Sequence, residues 1–266
     1  MGVVNVTPDS FSDGGEAYDP GAAVSRGLAL VAEGADIIDV GGESTRPGAD
    51  PVSQTDEARR VVPVVRDLAA AGVLVSIDTR HASVMAAAID AGAKIVNDVT
   101  ALTGDNRSLD VVAGSGVSIV LMHMQGDPRT MQTDPRYGDV VSDVFHWLAT
   151  RVAHCEAAGI PLDRIAVDPG IGFGKTVEHN LAILAQLGVY ETIGCGLLIG
   201  VSRKSFISRL CENELPKQRL GGSLAAVLAA IQRNANIVRV HDVAATRQAI
   251  RVWRAISQAD GAVANV

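Results

Sequence analysis

Eight short apolar runs punctuate the chain, at 3–4, 37–40, 73–77, 95–96, 119–122, 165–167, 197–199 and 237–240, and each hands over to polar residues at its C-terminal end. Val, Ile and Leu dominate these runs with little polar alternation, as in parallel strands buried on both faces. The residues that follow them are Asn5, Gly41-Gly42-Glu43, Asp78, Asn97, His123, Asp168, Ser202-Arg203-Lys204 and His241. Between the runs, segments of helical period cover 21–33, 53–71, 82–91, 106–113, 139–158, 177–187, 221–234 and 242–257. Asp19-Pro20 offers an N-cap and a first-turn proline to the first of them, and Ser53 with Asp56 three residues on starts the second. Gly34, Gly72, Gly92, Gly114, Gly159 and Gly188 are expected to stop theirs.

Strand, helix, strand, repeated eight times with short helix-to-strand turns, predicts an α/β fold of the (β/α)8 TIM barrel type, a single domain over residues 1–266. An open doubly wound sheet is the rival. It would gather its polar residues at one switch point, whereas here almost every strand ends in them. In a barrel those ends form one mouth, and the ligand belongs there. The connections 5–19, 41–52, 123–138 and 201–220 are long and polar, the kind of loop that carries function. The first run begins at Met1-Gly2, so an upstream segment plugging the N-terminal end of the barrel is expected to be absent.

Composition narrows the function. A 47% hydrophobic content is ample for one core, and only 3% aromatic residues suits helices packed closely on a small-residue sheet. A net charge of −7 argues against a nucleic-acid partner. Cys155, Cys195 and Cys211 are odd in number without CxxC spacing, which speaks against a disulfide framework or zinc site and for a reducing cytoplasm. No run approaches the roughly 18 residues of a membrane span, and no signal-peptide pattern is present.

Asp78, Asn97 and Asp168 end three different strands and are expected to face one mouth. A confined carboxylate accepts paired hydrogen bonds from an amidine-like edge, as on guanine or a pterin, and an asparagine matches the neighbouring edge. Each alone also reads as the N-cap of the helix that follows. Asp168-Pro-Gly-Ile-Gly-Phe-Gly-Lys175-Thr176 looks like a P-loop but fails on spacing, because Pro169 stands where the first glycine is required. Its glycines suit a loop passing close under a flat ligand, with Phe173 as a wall and Lys175 in solvent. Ser202-Arg203-Lys204-Ser205 suits an anionic or π-rich substrate, or is a solvated turn. Arg239 and His241 share one strand face and, with Asn5, offer an anion pocket where barrels often bind phosphate, although His241 also reads as a buried structural histidine. No cluster has transition-metal spacing; a metal here would be Mg2+ arriving with a phosphorylated substrate.

Taken together, Asn-Val-Thr-Pro-Asp-Ser-Phe-Ser-Asp-Gly-Gly, Gly-Glu-Ser-Thr-Arg-Pro-Gly-Ala, Ser-Ile-Asp-Thr, Val-Asn-Asp-Val, Leu-Met-His-Met-Gln-Gly, Asp-Pro-Gly-Ile-Gly-Phe-Gly-Lys, Ser-Arg-Lys-Ser-Phe and Arg-Val-His-Asp-Val resemble the motifs of bacterial dihydropteroate synthases, in order from Gly2 to about Ile256. The resemblance implies a cytoplasmic, homodimeric transferase of folate synthesis. It would join 6-hydroxymethyl-7,8-dihydropterin diphosphate to 4-aminobenzoate, release pyrophosphate, and be a sulfonamide target. It further implies that Asp78, Asn97, Asp168 and Lys204 hold the pterin, with Met122 along its wall. Asn5, Arg239 and His241 would hold the diphosphate, Asn5 through Mg2+. Phe11, Thr45, Arg46, Pro47, Phe173 and Ser205 would shape the aminobenzoate site, and Asp13 would face the reacting carbon. Asp13, Lys204, Arg239 and His241 are the implied catalytic set. Ile171 departs from an aromatic seen in some members. A pterin-dependent methyltransferase-type barrel and a non-catalytic pterin-binding relative are the alternatives; a Schiff-base aldolase is less suited, since Lys204 lies beyond its strand.

Overall fold

The computed structural model describes residues 1–7, 19–43, 52–127 and 129–263. The apolar runs form β1 (Gly2–Asn5), β2 (Ile38–Gly41), β3 (Val75–Asp78), β4 (Ile95–Asp98), β5 (Ser118–Met122), β6 (Ile165–Asp168), β7 (Gly196–Ile199) and β8 (Ile237–Val238). They are parallel neighbours in sequence order. The ring closes where Gly2 bridges Val240, the Val3 amide donating to the Val240 carbonyl at 3.1 Å and the Val240 amide to the Met1 carbonyl at 2.9 Å. The barrel is thus present, and the open sheet is not.

Around it pack α1 (Pro20–Glu33), α2 (Gln54–Ala70), α3 (Ala82–Asp90), α4 (Ser108–Ser115), α5 (Val140–Ala157), α6 (Val177–Ala185), α7 (Ser205–Leu210), α8 (Leu220–Ile231) and α9 (Val243–Val263). Asp19 caps α1 by accepting from the Gly21 amide, Ser53 caps α2 by accepting from the Asp56 amide, and Gly34 ends α1 in the left-handed region at φ 102°. Two expected stops move. Gly114 lies inside α4, which runs on to Gly116, and Gly188 lies within a 3-10 turn from Leu187 to Ile193. The six-residue α7 was not anticipated, being too short to display a helical period. No helix among the described residues is long and apolar enough to cross a membrane.

Side chains alternate in and out of the ring, so residues two apart share the interior. At its N-terminal end Met1, Val120, Ala166 and Leu198 pack together with Ile37, Ile95 and Ile237 against them. The barrel's own side chains make this floor. One period-two step further along the strands the interior turns polar: Ile37 gives way to Asp39, Ile95 to Asn97, Ala166 to Asp168 and Ile237 to Arg239.

Candidate active site at the barrel mouth

Register places the polar groups at one level. Gly41 pairs with Asp78, Asp78 with Asn97, and Met122 with Asp168. They surround a cleft of about 370 Å³, counting its open mouth, lined by Asp78, Asn97, Met122, Asp168, Phe173 and Lys204 among others, with Arg239 at its side. The expectation that Asp78, Asn97 and Asp168 converge is met.

Asp39, overlooked in the sequence because it lies inside an apolar run, is the hub. Wholly buried, its Oδ2 accepts from Arg239 Nε at 2.6 Å and from Asn97 Nδ2 at 3.1 Å, while Oδ1 has no hydrogen-bond partner among the described residues. Arg239 Nη2 donates to Asp78 Oδ2 at 2.7 Å. One guanidinium therefore bridges two carboxylates. Burial works against its charge, but Asp39 and Asp78 more than offset that and hold Arg239 firmly protonated. Burial also raises the Asp78 carboxyl above its ordinary range, with Arg239 opposing.

Asp168 caps its own loop, Oδ1 accepting from the Gly170 amide at 2.7 Å. Burial raises this carboxyl, against the Gly170 hydrogen bond and the charges of Lys204 and Lys175. Gly170 has φ 70°, and a Cβ there would lie 1.9 Å from the His123 carbonyl oxygen. Only glycine lets the loop pass so close. Lys204 Nζ stands 4.0 Å over the centre of the Phe173 ring, a cation–π contact that ties the loop after β6 to the turn after β7.

Other candidates lie around the rim. Asn5 ends β1 in register with Gly41. His241 follows β8 with Nδ1 at 3.1 Å from Ser202 Oγ, and burial together with Arg239 and Arg203 lowers its imidazole to about 3, so it is neutral. Ser205 is exposed at the start of α7. Phe11, Asp13, Thr45, Arg46 and Pro47 lie outside the described residues.

Two expectations require correction. Lys175 is not in solvent: it is 2% exposed, its ammonium 2.9 Å from His123 Nδ1 and donating to the Phe173 carbonyl at 3.0 Å. The glycines do let the loop pass close beneath the cleft, as expected, but nothing local shows that Lys175 turns inward onto His123, 52 residues earlier. Arg203 does not offer a second cation to a substrate beside Lys204, because its Nε donates to Asp242 at 2.9 Å and its Nη2 donates to the same carboxylate.

Charge complementarity thus offers carboxylate and amide acceptors to one face of a flat heterocycle and a guanidinium to an anion beside it. Comparison with known proteins agrees with this geometry. Residues 1–241 match the pterin binding enzyme family. Dihydropteroate synthase of Neisseria meningitidis serogroup B is 48% identical over 262 residues, 96% of this chain and 92% of that protein. Dihydropteroate synthase of Xanthomonas albilineans with 4-aminobenzoic acid superposes with a TM-score of 0.91 at 49% identity, covering 97% of this chain and 92% of that one. The same enzyme in complex with 7,8-dihydropteroate gives a TM-score of 0.88 at 46% identity, with 97% and 92% covered. Among pterin binding enzymes, this chain belongs to the dihydropteroate synthases.

Proposed function

We propose that the mouth residues divide the condensation of 6-hydroxymethyl-7,8-dihydropterin diphosphate with 4-aminobenzoate among them as follows. Asp168, Asn97, Asp78 and Lys204 hold the pterin ring, with Met122 along its wall. Asp168 accepts from the amidine-like edge of the ring, and Asn97, fixed by Asp39, is oriented before the ligand arrives. Arg239 and His241 receive the diphosphate, the first as a permanent cation and the second as an N–H donor from a neutral imidazole. Among the described residues no group of three or more His, Cys, Asp or Glu side chains is arranged to hold a metal ion. Asn5, at the end of β1, would hold a hard Mg2+ arriving with the diphosphate. When bound, Mg2+ supplies charge neutralisation for the leaving diphosphate.

The bond between the pterin methylene and the diphosphate oxygen breaks ahead of attack. The electron-rich ring stabilises the carbocation while Arg239 takes up charge on the departing group, electrostatic help of the kind that usually contributes most. The aniline nitrogen of 4-aminobenzoate is unprotonated at neutral pH and attacks without a strong base, losing its proton afterwards. Phe173 and Ser205, with Phe11, Thr45, Arg46 and Pro47, form the arylamine site, which sulfonamides contest, and Asp13 faces the reacting carbon. The enzyme works as a cytoplasmic homodimer; sedimentation equilibrium checks the assembly, and a monomer at working concentration rules it out.

The observation that carries this reading is the convergence of Asp78, Asn97, Met122, Asp168, Phe173, Lys204 and Arg239 on one cleft. Supplying both substrates and measuring pyrophosphate release tests it. Release dependent on 4-aminobenzoate is expected. Pterin binding without release, or transfer of a methyl group instead, would overturn it. Arg239→Ala is expected to damage turnover far more than binding of a pterin lacking phosphates.

A further inference from the structure

Lys175 is among the largest wholly buried side chains of the protein, yet among the described residues it forms no salt bridge. Its three N–H groups have three acceptors instead: His123 Nδ1 at 2.9 Å, the Phe173 carbonyl at 3.0 Å and the His123 carbonyl at 3.4 Å. A buried lysine without a carboxylate in contact is costly and is ordinarily retained for a task.

The surroundings identify that task. His123 directly follows β5, and its backbone amide donates to the Asp168 carbonyl at 2.9 Å. Its ring is neutral, lowered to about 3 by burial and by Lys175, so Nδ1 is free to accept. Trp147 of α5 stands edge-on to that ring at 5.0 Å. Tyr137 donates its hydroxyl to the Gly174 carbonyl at 2.7 Å and meets His179 of α6 edge-on, closing the other side. The titratable groups acting on the ammonium are thus His123, in contact with it, and the charges of Asp168 and Lys204, with Tyr137 and His179 packed beyond His123. Burial lowers Lys175 to about 7, with Asp168 pulling it up and Lys204 pushing it further down. Asp168 is the carboxylate whose charge acts on this cation, and among the described residues the Gly170 amide is the hydrogen-bond donor to its side chain.

We propose that Lys175, clasped by His123, is a positioning residue of the pterin site: its ammonium pins the loop carrying Phe173 and supplies, from behind, the counter-charge for the Asp168 carboxylate. This rests on the pterin role given to Asp168 above. It adds that the carboxylate is kept ionised from the side the ligand never touches. Removing the cation makes Asp168 harder to ionise, so pterin binding is lost at a higher pH on acidification.

The test is calorimetric titration of wild type and Lys175→Met with a phosphate-free hydroxymethylpterin across the acid limb. A nearby opposite charge moves a carboxyl by about one unit. The limb of Lys175→Met is therefore expected roughly one pH unit higher, with affinity on the limb about tenfold weaker. A folded Lys175→Met with wild-type affinity and an unmoved limb overturns the proposal. A second measurement does not need that variant. The chain has four lysines, Lys94, Lys175, Lys204 and Lys217, so ε-13C-lysine spectra are simple to follow. In Asp168→Asn the lowest-titrating lysine should titrate lower still; an unchanged midpoint refutes the link. If Asp168→Asn also leaves pterin affinity intact, the role of Asp168 itself fails, a separate outcome.

Discussion

Asp39→Ala tests whether the charge network at the mouth is built as the geometry says. In the wild type Asp39 Oδ2 accepts from Arg239 at 2.6 Å and Asn97 at 3.1 Å, out of reach of water. Alanine leaves Arg239 with Asp78 alone and removes the Asn97 amide's acceptor. Charge centres in such a contact lie about 4 Å apart, which at an effective dielectric of about 20 amounts to ~4 kcal/mol. Loss of one partner of a buried pair costs about 3–5 kcal/mol in measured cases, so the two routes agree. Asp78 remains as second partner, and 22% of the Arg239 side chain is exposed, which favours the lower end, about 3 kcal/mol. For a chain of this size that lowers the melting temperature by roughly 6–12 °C. The assay is urea unfolding of Asp39→Ala, Arg239→Met and the double variant. Arg239→Met is itself destabilising, since it leaves Asp39 and Asp78 facing one another without a cation. If the pair acts as a unit, the double variant is less damaged than the sum of the singles, with a coupling of about 2 kcal/mol or more. Strict additivity would refute the argument, because it would mean that Asp39 and Arg239 are each held by something else.

Three further outcomes follow from the same geometry. Asp168→Asn sets an amide donor against the donor edge of the ring and should cost about 2–4 kcal/mol of pterin affinity by calorimetry; unchanged affinity would remove Asp168 from the site. Gly170→Ala places a Cβ 1.9 Å from the His123 carbonyl oxygen at φ 70° and should destabilise by more than about 1 kcal/mol while abolishing pterin binding; a thermal melt and affinity matching wild type would contradict the close approach. Glu57 on α2 is wholly buried, its Oε2 3.9 Å from His81 Nε2, and burial, opposed by the Thr79 hydroxyl, raises it to about 7. From its ordinary 4.5 up to about 7 the folded state keeps the proton while the unfolded state has lost it, so this group lowers stability as pH rises through that window. Glu57→Gln should therefore gain on wild type from pH 5 to pH 8 by an amount of order 3 kcal/mol, read from melts at both ends; a constant difference would deny the shift.

The fold was legible because its two signals are local. Val and Ile runs and glycine-stopped helices depend on neighbours in sequence, and the register of Asp78 beside Asn97 follows once each is known to end its strand. What could not be read depends on partners far along the chain. Arg203 reads as a cation for an anionic substrate or as part of a solvated turn, whereas Asp242, 39 residues on, holds it. Lys175 looked solvated because nothing near it in sequence announces that His123, 52 residues earlier, closes over it. Asp39 had a local signal that went unused: a carboxylate inside a buried apolar run, two residues from Gly41 and on the same side, must face the ring interior and must be paired there.

That parity explains how the barrel keeps so many charges desolvated yet ordered. Interior positions two apart run Ile37–Asp39, Ile95–Asn97, Val120–Met122, Ala166–Asp168 and Ile237–Arg239, so these five strands step from floor to mouth within one repeat of the pleat. The floor of Met1, Val120, Ala166 and Leu198 closes the ring beneath, and the carboxylates above it are satisfied across the interior or from their own loop. Arg239 reaches Asp39 and Asp78 across the ring, and the Gly170 amide serves Asp168. The network is therefore formed before any ligand arrives, which is the condition for electrostatic stabilisation to act without reorganisation. Gly200 takes the corresponding interior position above Leu198, where a Cβ would lie 3.9 Å from Asp168 Oδ2. The space a side chain would take there lies open beside the carboxylate, and a flat ring can use it. A larger residue at that position would fold normally and still close the site, separating the stability of the barrel from its capacity to bind.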